Sequence, residues 1–134
     1  MGSISARSIG PIPEVRPGDD LAALIRAALD GESLADGDLL AIAHTVVSKA
    51  EGAVVELSQV SPGERARALA AEQDRDPRLL QVVLDESTEI LRAANGVLIC
   101  RTRHGLVCAN AGVDTSNAGG AEQVVLLPRD RMCR

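Results

Sequence analysis

No phenylalanine, tyrosine or tryptophan occurs in this chain of 134 residues, although apolar residues make up 46% of it. A domain of this length buries roughly two-thirds of the surface that its unfolded chain exposes. We therefore expect one core, packed from leucine, isoleucine, valine and alanine. The absence of aromatic rings also removes the usual platforms for stacking bases. The net charge of −5 disfavours non-specific binding to nucleic acid or to anionic membranes.

The sequence carries no signal for a membrane or for an oxidising compartment. It contains no run of about 18 apolar residues, and its first ten residues, MGSISARSIG, lack the apolar centre of a signal peptide. Cys100, Cys108 and Cys133 are odd in number and show no C-x-x-C spacing, so neither a disulfide framework nor a zinc knuckle is signalled. We expect a cytoplasmic protein with reduced thiols, in which Cys100 and Cys108 are buried.

Two helices are expected before residue 73. Apolar residues recur with helical spacing over 21–29, where Asp19 or Asp20 would cap the helix and Gly31 would stop it. The sequence SPGER at 61–65 predicts a capping box with Ser61 as the N-cap, which begins a helix over 66–72.

A third helix is expected to begin at Asp76-Pro77, which repeats the start signal of the second. Its helical spacing continues toward Ile90 and Leu91, and Asn95-Gly96 would break it.

Strands are expected from short apolar runs. The run LLAIAHTVV at 39–47 follows the turn-forming DGD and predicts a buried strand. Residues 97–101 and 106–109 predict two short strands joined by a tight TRHG connection. A last apolar run, 124–127, ends at Pro128. This order of elements predicts an α+β domain, a mixed sheet with flanking helices.

The run CANAGVDTSNAGG, 108–120, places many short polar side chains directly after a predicted strand. Its oxygen and amide groups belong to Asn110, Asp114, Thr115, Ser116 and Asn117. One carboxylate among neutral oxygens suits a Mg²⁺ or Mn²⁺ ion that completes its shell with water and substrate phosphates. Glycines would let the backbone approach such a ligand. An ordinary turn has the same composition, and the residues alone leave both interpretations open.

A second polar segment, HTVVSKAEG at 44–52, brings Lys49 to the end of the predicted strand, where its charge could pair with phosphate. Alternatively, Lys49 and Glu51 are ordinary surface charges and His44 is a hydrogen-bonded core residue. No standard phosphate-binding loop occurs in the sequence.

Taken together, several segments resemble the N-terminal half of the coenzyme F420-0:L-glutamate ligase family. They are, in order, PIPEVRPGDDL (11–21), DGDLLAIAHTVVSKAEG (36–52), SPGERA (61–66), ESTEILR (86–92), HGLVCANAGVDTSN (104–117) and LLP (126–128). SKAEG and ANAGVDxSN are specific in this order. The resemblance covers 1–130, whereas 131–134 do not match. Because such ligases are nearly twice as long and carry further metal and nucleotide contacts in their second half, we expect a shortened version.

The resemblance implies an enzyme of coenzyme F420 biosynthesis. GTP would phosphorylate the terminal carboxylate of F420-0, and the amine of L-glutamate would displace phosphate from the acyl phosphate. It also implies Mg²⁺ or Mn²⁺, a possible K⁺, a homodimer, and no nucleic-acid or membrane partner. By similarity, Asp114 would bind the metal. The residues that would contact GTP are Ile12, Pro13, Glu14, Val15, His44, Thr45, Lys49 and Asn117.

No catalytic side chain is assigned by this resemblance. Of the proposed GTP contacts, 12–15 would act mostly through backbone atoms. The alternative interpretation is a non-catalytic fragment of such a ligase, which keeps the fold and acts at most as a dimerising or partner-binding half.

Overall fold

The computed structural model describes residues 3–116 and 122–129. The helices within them are α1 (Leu21–Ala28), α2 (His44–Ala50), α3 (Glu64–Gln73) and α4 (Pro77–Asp85). The strands are β1 (Val54–Glu56), β2 (Ser87–Ala94), β3 (Val97–Thr102), β4 (Val107–Ala109) and β5 (Gln123–Val125). Short 3₁₀ turns cover Leu57–Gln59 and Asn110–Gly112. The predicted α+β class is confirmed.

The strands form two antiparallel sheets in the described residues, rather than the mixed sheet that we expected. One sheet has the order β2-β3-β4 and the other pairs β1 with β5. An isolated antiparallel bridge between Asp114 and Val125 adds a third chain segment to the smaller sheet. The polar run at 108–116 therefore begins in one sheet and reaches the other.

The core between these elements is aliphatic, as the composition predicts. The interior face of α4 packs with residues of β3, the polar run and β5. The buried cluster consists of Leu57, Ala70, Leu79, Leu80, Val82, Val83, Leu98, Cys100, Ala111, Val113 and Val124. Each fully buried leucine or valine stabilises the fold by roughly 1.5–3 kcal/mol relative to an exposed one. The hydrophobic stabilisation of this core therefore comes from aliphatic side chains alone.

Two of the predicted helix starts are confirmed in detail. Asp20 caps α1, and its carboxylate accepts a hydrogen bond of 2.9 Å from the Ala23 backbone N–H. Asp76 caps α4 by accepting from the Arg78 N–H at 2.8 Å, with Pro77 in the first turn. A side-chain oxygen at this position satisfies one of the backbone donors that a helix leaves unpaired.

The capping box at 61–65 is wrong, although the helix that it predicts exists. Gly63 is the N-cap of α3, and no side chain caps this helix. The Gly63 N–H instead donates to the Gln81 side chain of α4 at 2.8 Å. A tertiary contact between α3 and α4 therefore takes the place of the local cap.

The strand predicted over 39–47 is also wrong. Residues 39–43 have no regular secondary structure, and 44–50 form α2. Leu39 is 96% exposed, so this apolar run is not a core strand. An uninterrupted apolar run is compatible with either a strand or a helix, and within the described residues no other strand pairs with this segment.

The third helix is shorter than its apolar spacing predicts. α4 ends at Asp85, and Ile90 and Leu91 belong to β2, which pairs with β3. Asn95 and Gly96, where the sequence predicts a helix break, both have positive φ (53° and 73°) and form the turn of this hairpin. Asn-Gly is a strong hairpin signal because both residues tolerate that conformation.

The second predicted hairpin is confirmed. β3 and β4 pair in antiparallel register, and the Thr102 N–H donates to the Leu106 carbonyl at 2.8 Å across the turn. Cys100 and Cys108 face each other in this register as free thiols, the first buried and the second half-buried. Cys133 lies outside the described residues. No helix in the described part of the chain is long and apolar enough to cross a membrane.

Candidate functional site

The N-terminal segment lies against the C-terminal end of α2. The Gly18 N–H donates to the Ala50 carbonyl at 2.8 Å, and Val15 is buried. Lys49 Nζ lies 3.8 Å from Glu14 Oε1. The structure thus brings together three residues, Glu14, Val15 and Lys49, that come from two distant segments of the sequence and that we predicted at one GTP site.

Ile12 and Pro13 belong to the same segment and are exposed, outside the helices and strands. Their backbone groups are therefore not used in a sheet. This geometry is compatible with ligand contacts through main-chain atoms, which is the role that we predicted for 12–15.

Lys49 is the only lysine in the chain, since the other 13 of its 14 basic residues are arginines. Its side chain is only 22% exposed, whereas the Glu14 side chain is 71% exposed. An ammonium group on a flexible stem is a compact charge suited to phosphate oxygens. The structure therefore holds one partly covered ammonium group beside the N-terminal segment.

The first turn of α2 contains His44 and Thr45, both half-buried. His44 Nε2 is buried and has no hydrogen-bond partner among the described residues, and the same holds for Ser48 Oγ one turn later. Nε2 of His44 thus lacks the hydrogen bond that the alternative interpretation predicts. Buried polar atoms of this kind are uncommon in folded proteins and need an explanation.

Ser48 is a residue that the sequence reasoning did not select. Its side chain is fully buried at 0% exposure. The signal was present in the sequence, because a serine interrupts an otherwise apolar segment just before Lys49. It was missed because the segment was interpreted as a strand, in which Ser48 would have been the residue at the exit.

The turn after α2 connects Lys49 to the end of the described chain. Glu51 Oε2 accepts a hydrogen bond of 2.6 Å from the Arg129 backbone N–H. Just beyond the turn, the Leu126 N–H donates to the Ala53 carbonyl at 2.9 Å. Arg129 is a second residue that sequence reasoning did not select, since only the fold places it beside the SKAEG segment.

Asp114 is fixed through its backbone to β5. The N–H of each of Asp114 and Val125 donates to the other's carbonyl at 2.9 Å. On its other side Val125 pairs with Val54 of β1, four residues after α2 ends. Neighbouring strands lie about 4.8 Å apart, so Asp114 and the start of β1 flank the same strand. The polar run therefore joins the small sheet at Asp114, and the SKAEG segment ends two residues before β1 of that sheet.

The Asp114 carboxylate also shapes the loop that follows it. Its Oδ1 accepts hydrogen bonds of 2.7 Å from both the backbone N–H and the hydroxyl of Ser116. Thr115 is exposed. Asn117 lies outside the described residues, so its predicted contact with GTP remains a prediction.

Part of the polar run is structural. The Asn110 side chain accepts a hydrogen bond of 3.2 Å from the Leu98 N–H of β3. Asn110, Ala111 and Gly112 all have positive φ, which turns the chain sharply out of β4. The turn interpretation is therefore confirmed for 110–112, whereas Asp114 as a metal ligand stays a prediction.

The donor set limits what kind of metal could bind. Within residues 3–116 and 122–129, no group of three or more histidine, cysteine, aspartate or glutamate side chains could hold an ion. A single carboxylate at Asp114 fits a Mg²⁺ or Mn²⁺ ion that arrives chelated by phosphates and keeps several waters. It does not fit a metal held by these residues alone.

Comparison with known proteins decides the family. A family model described as F420-0:Gamma-glutamyl ligase matches residues 10–133. The chain belongs to this ligase family. The resemblance that the sequence motifs indicate is thus confirmed.

Related proteins named coenzyme F420:L-glutamate ligase extend over nearly the whole chain. The Methanopyrus kandleri protein is 47% identical over 133 residues, which is 97% of this chain and 51% of that protein. The Methanothermobacter thermautotrophicus protein is 44% identical, over 95% of this chain and 51% of that protein. The Halobacterium salinarum protein is 44% identical, over 92% of this chain and 49% of that protein. This member of the F420-0:gamma-glutamyl ligase family spans about half the length of these relatives.

Proposed function

We propose that this chain forms the nucleotide-binding half of a GTP-dependent ligase that adds L-glutamate to coenzyme F420-0. Lys49 carries the proposal. The only lysine lies in the SKAEG motif, is mostly covered, and has its Nζ 3.8 Å from Glu14 of the N-terminal motif. Membership in the ligase family supports the same function.

In the proposed reaction, a carboxylate oxygen of F420-0 attacks the γ-phosphorus of GTP and GDP leaves. The amine of L-glutamate then attacks the acyl carbon of the acyl phosphate, loses a proton and expels inorganic phosphate. Lys49 would stabilise charge on the phosphate oxygens, because a fixed cation lowers the energy of developing negative charge in a site with little water.

The other predicted site residues have positioning roles. The segment 12–15 would contact GTP mainly through main-chain atoms, and His44 and Thr45 would do so from the first turn of α2. Asp114 would hold Mg²⁺ or Mn²⁺ with the phosphates. When bound, such an ion neutralises triphosphate charge and orients it for in-line transfer. The proposals of K⁺ and a homodimer rest on the family resemblance. A cytoplasmic location is proposed from the sequence, which has no run of about 18 apolar residues.

A ligation assay tests the proposed function directly. The purified chain is incubated with F420-0, L-glutamate, GTP and MnCl₂, and mass spectrometry follows the product that is heavier by one glutamyl unit. We expect product that disappears without GTP and in Asp114→Ala, while Asp36→Ala, an exposed carboxylate on another loop, keeps activity. If a soluble, folded sample yields no product, these residues do not suffice for catalysis.

Isothermal titration separates nucleotide binding from turnover. GTP should bind more tightly with Mn²⁺ than without it, and Asp114→Ala should remove that difference. Equal GTP affinities with metal, without metal and in Asp114→Ala would contradict the site.

A non-catalytic, dimerising half is the second candidate, and exposed apolar side chains favour it. Ile4, Leu34, Leu39, Leu40 and Ile42 are exposed to between 38% and 100%. They line a groove of about 990 Å³ between the N-terminal segment, the 34–43 loop, α1 and α2. Apolar surface of this kind marks interaction sites. A second copy of this chain is the occupant that we propose.

Light scattering across a hundredfold range of concentration tests this second candidate. We expect a dimer that Leu39→Ser and Leu40→Ser weaken, with Leu106→Ser on the β3–β4 turn as the control. This dimer should give no product in the ligation assay, because the ligase proposal also expects a homodimer. A monomer at every concentration would exclude it.

A further inference from the structure

A second cavity includes Arg129, whose backbone N–H donates to Glu51 in the turn that follows Lys49. It has a volume of about 430 Å³ and is lined by Glu86, Arg103, His104, Leu126, Leu127 and Arg129. Small-molecule sites are typically about 300–1,000 Å³. The cavity therefore has the size of a site for a compact ligand.

Three segments that are distant in sequence supply its charged groups. Glu86 follows the last residue of α4, Arg103 and His104 form the β3–β4 turn, and Arg129 follows β5. Two guanidinium groups and an imidazole thus meet a single carboxylate. This composition is unlike that of a metal site, which would need several acidic or thiol ligands.

Two hydrogen bonds hold the acidic side of the cavity. The Glu86 side chain is only 12% exposed, and its Oε1 accepts a hydrogen bond from Arg103 Nη2. The Arg103 N–H also donates to the Glu86 carbonyl at 3.2 Å, which fastens the β3–β4 turn to the end of α4. Arg103 remains 60% exposed, so its planar head, which has five N–H donors, can pair with a ligand without releasing Glu86.

The opposite side is tied to the proposed nucleotide site. The Arg129 backbone is held by Glu51, and Arg129 Nη2 lies 3.5 Å from the Gly52 carbonyl. Glu51 and Gly52 directly follow the helix that carries Lys49. Arg129 therefore links the cavity to the turn that directly follows Lys49.

We propose that this cavity binds the L-glutamate co-substrate, an inference that rests on the proposed ligase function. L-Glutamate carries two carboxylates and one ammonium group, and the cavity offers Arg103 and Arg129 against one carboxylate, Glu86. Guanidinium groups bind carboxylates in a bidentate fork. Glu86 Oε2 receives the ammonium group, and Leu126 and Leu127 cover the methylene groups.

Direct binding of L-glutamate to the whole chain tests this assignment without any turnover. Isothermal titration is performed with GTP and MnCl₂ present and again without them. We expect saturable binding that Arg103→Ala and Arg129→Ala each weaken at least tenfold. Arg101→Ala is the matched control, because Arg101 pairs with Glu89 on the exposed face of the same sheet and should leave the affinity unchanged.

Ligand analogues separate an amino-acid site from a general anion site. Glutarate lacks the ammonium group, so it should bind more weakly than L-glutamate to the natural chain. Glu86→Gln should weaken the binding of L-glutamate but not the binding of glutarate. Equal affinities for the two ligands, with competition by inorganic phosphate, would overturn the proposal in favour of a simple anion site.

Two further outcomes would overturn it: no saturable L-glutamate binding by folded chain, or unchanged affinity in both arginine variants. Circular dichroism verifies that each variant is folded. If an alanine variant unfolds, Arg103→Lys or Arg129→Lys replaces it. Each lysine variant keeps the positive charge but loses the bidentate guanidinium group, so it should still weaken L-glutamate binding. GTP titration distinguishes the two proposals. If GTP does not bind but L-glutamate binds in a way that depends on the two arginines, only the proposed nucleotide site is contradicted. If GTP binds but L-glutamate does not, only the proposed role of this cavity is contradicted.

Discussion

Gly112 and Leu127 are packed so closely that no side chain fits between them. A β-carbon placed on Gly112 would lie 2.6 Å from Leu127 Cγ, and Gly112 has a φ of +75°. This contact joins the sharp turn of the polar run to the segment after β5, which lines the proposed L-glutamate cavity.

Gly112→Ala is therefore expected to destabilise the chain by about 2–4 kcal/mol, from positive-φ strain together with overpacking. Urea unfolding measures the change. Gly31→Ala is the control, since Gly31 has a φ of +80° and a β-carbon added to it would have nothing within 4 Å; it should show only the strain, about 1–2 kcal/mol. Equal losses in the two variants would mean that Leu127 moves aside freely.

Ser48→Ala is expected to raise the free energy of unfolding by about 1 kcal/mol. The Ser48 hydroxyl is buried and has no partner among the described residues, so the variant removes an unpaired polar group and inserts a better helix former. Thermal unfolding checks this, with Ser58→Ala in an exposed 3₁₀ turn as a control that should change little. A clear loss of stability in Ser48→Ala would show that its hydroxyl is hydrogen-bonded.

Stability should fall in acid through Asp76. The hydrogen bond from the Arg78 side chain holds the pKa of the Asp76 carboxyl below its usual range, against the opposing effect of burial, and the same pairing raises the pKa of Arg78. Because the pKa is lower in the folded state, this stabilisation is fully present above the unfolded value of about 3.9 and is lost as the pH falls through the folded value.

Urea midpoints between pH 7 and pH 2 test this dependence in Asp76→Asn, which still caps a helix but carries no charge. Its midpoint should vary less with pH below about pH 5 than that of the natural chain. At pH 7, Asp76→Ala should cost about 1 kcal/mol through the lost cap. Parallel curves for Asp76→Asn and the natural chain would contradict the assignment.

Cys108 should react slowly with iodoacetamide at neutral pH. Burial raises the pKa of the Cys108 thiol, and the neighbouring Cys100 raises it further. Since only the thiolate is a nucleophile, labelling should stay below the rate of glutathione at pH 7.5 and continue to increase above pH 9. In a Cys133→Ser variant only Cys100 and Cys108 can be labelled, and mass spectrometry measures the labelling of each. Fast labelling at pH 7.5 would show that β4 opens readily.

GTP should protect Lys49 from acetylation. Because Lys49 is the only lysine in the chain, a lysine-selective reagent modifies one side chain and the terminal amine, which serves as an internal standard. With GTP and Mn²⁺, we expect the Lys49 labelling rate to fall at least fivefold while the terminal amine is unaffected. If GTP protects Lys49 equally in Asp114→Ala and in the natural chain, the contact between GTP and Lys49 does not depend on the metal that Asp114 would bind.

Local chemistry in the sequence determined several elements correctly. Aspartates at Asp20 and Asp76 cap helices because a carboxylate satisfies backbone donors within the same turn. The hairpin of β3 and β4 follows from apolar runs on either side of a tight turn. The aliphatic core follows from composition, and the motifs by themselves indicated the ligase family.

Other features depend on partners that are distant in sequence. The apolar run at 39–47 could satisfy either a strand or a helix, and no strand in the described part of the chain pairs with it, which left 44–50 helical. β2 displaced the predicted continuation of α4 because β3 supplied its hydrogen bonds. Arg129 reached the SKAEG turn only through the pairing of β5 with β1. Sequence determined what each segment could form, and tertiary packing selected among those options because buried backbone groups require partners.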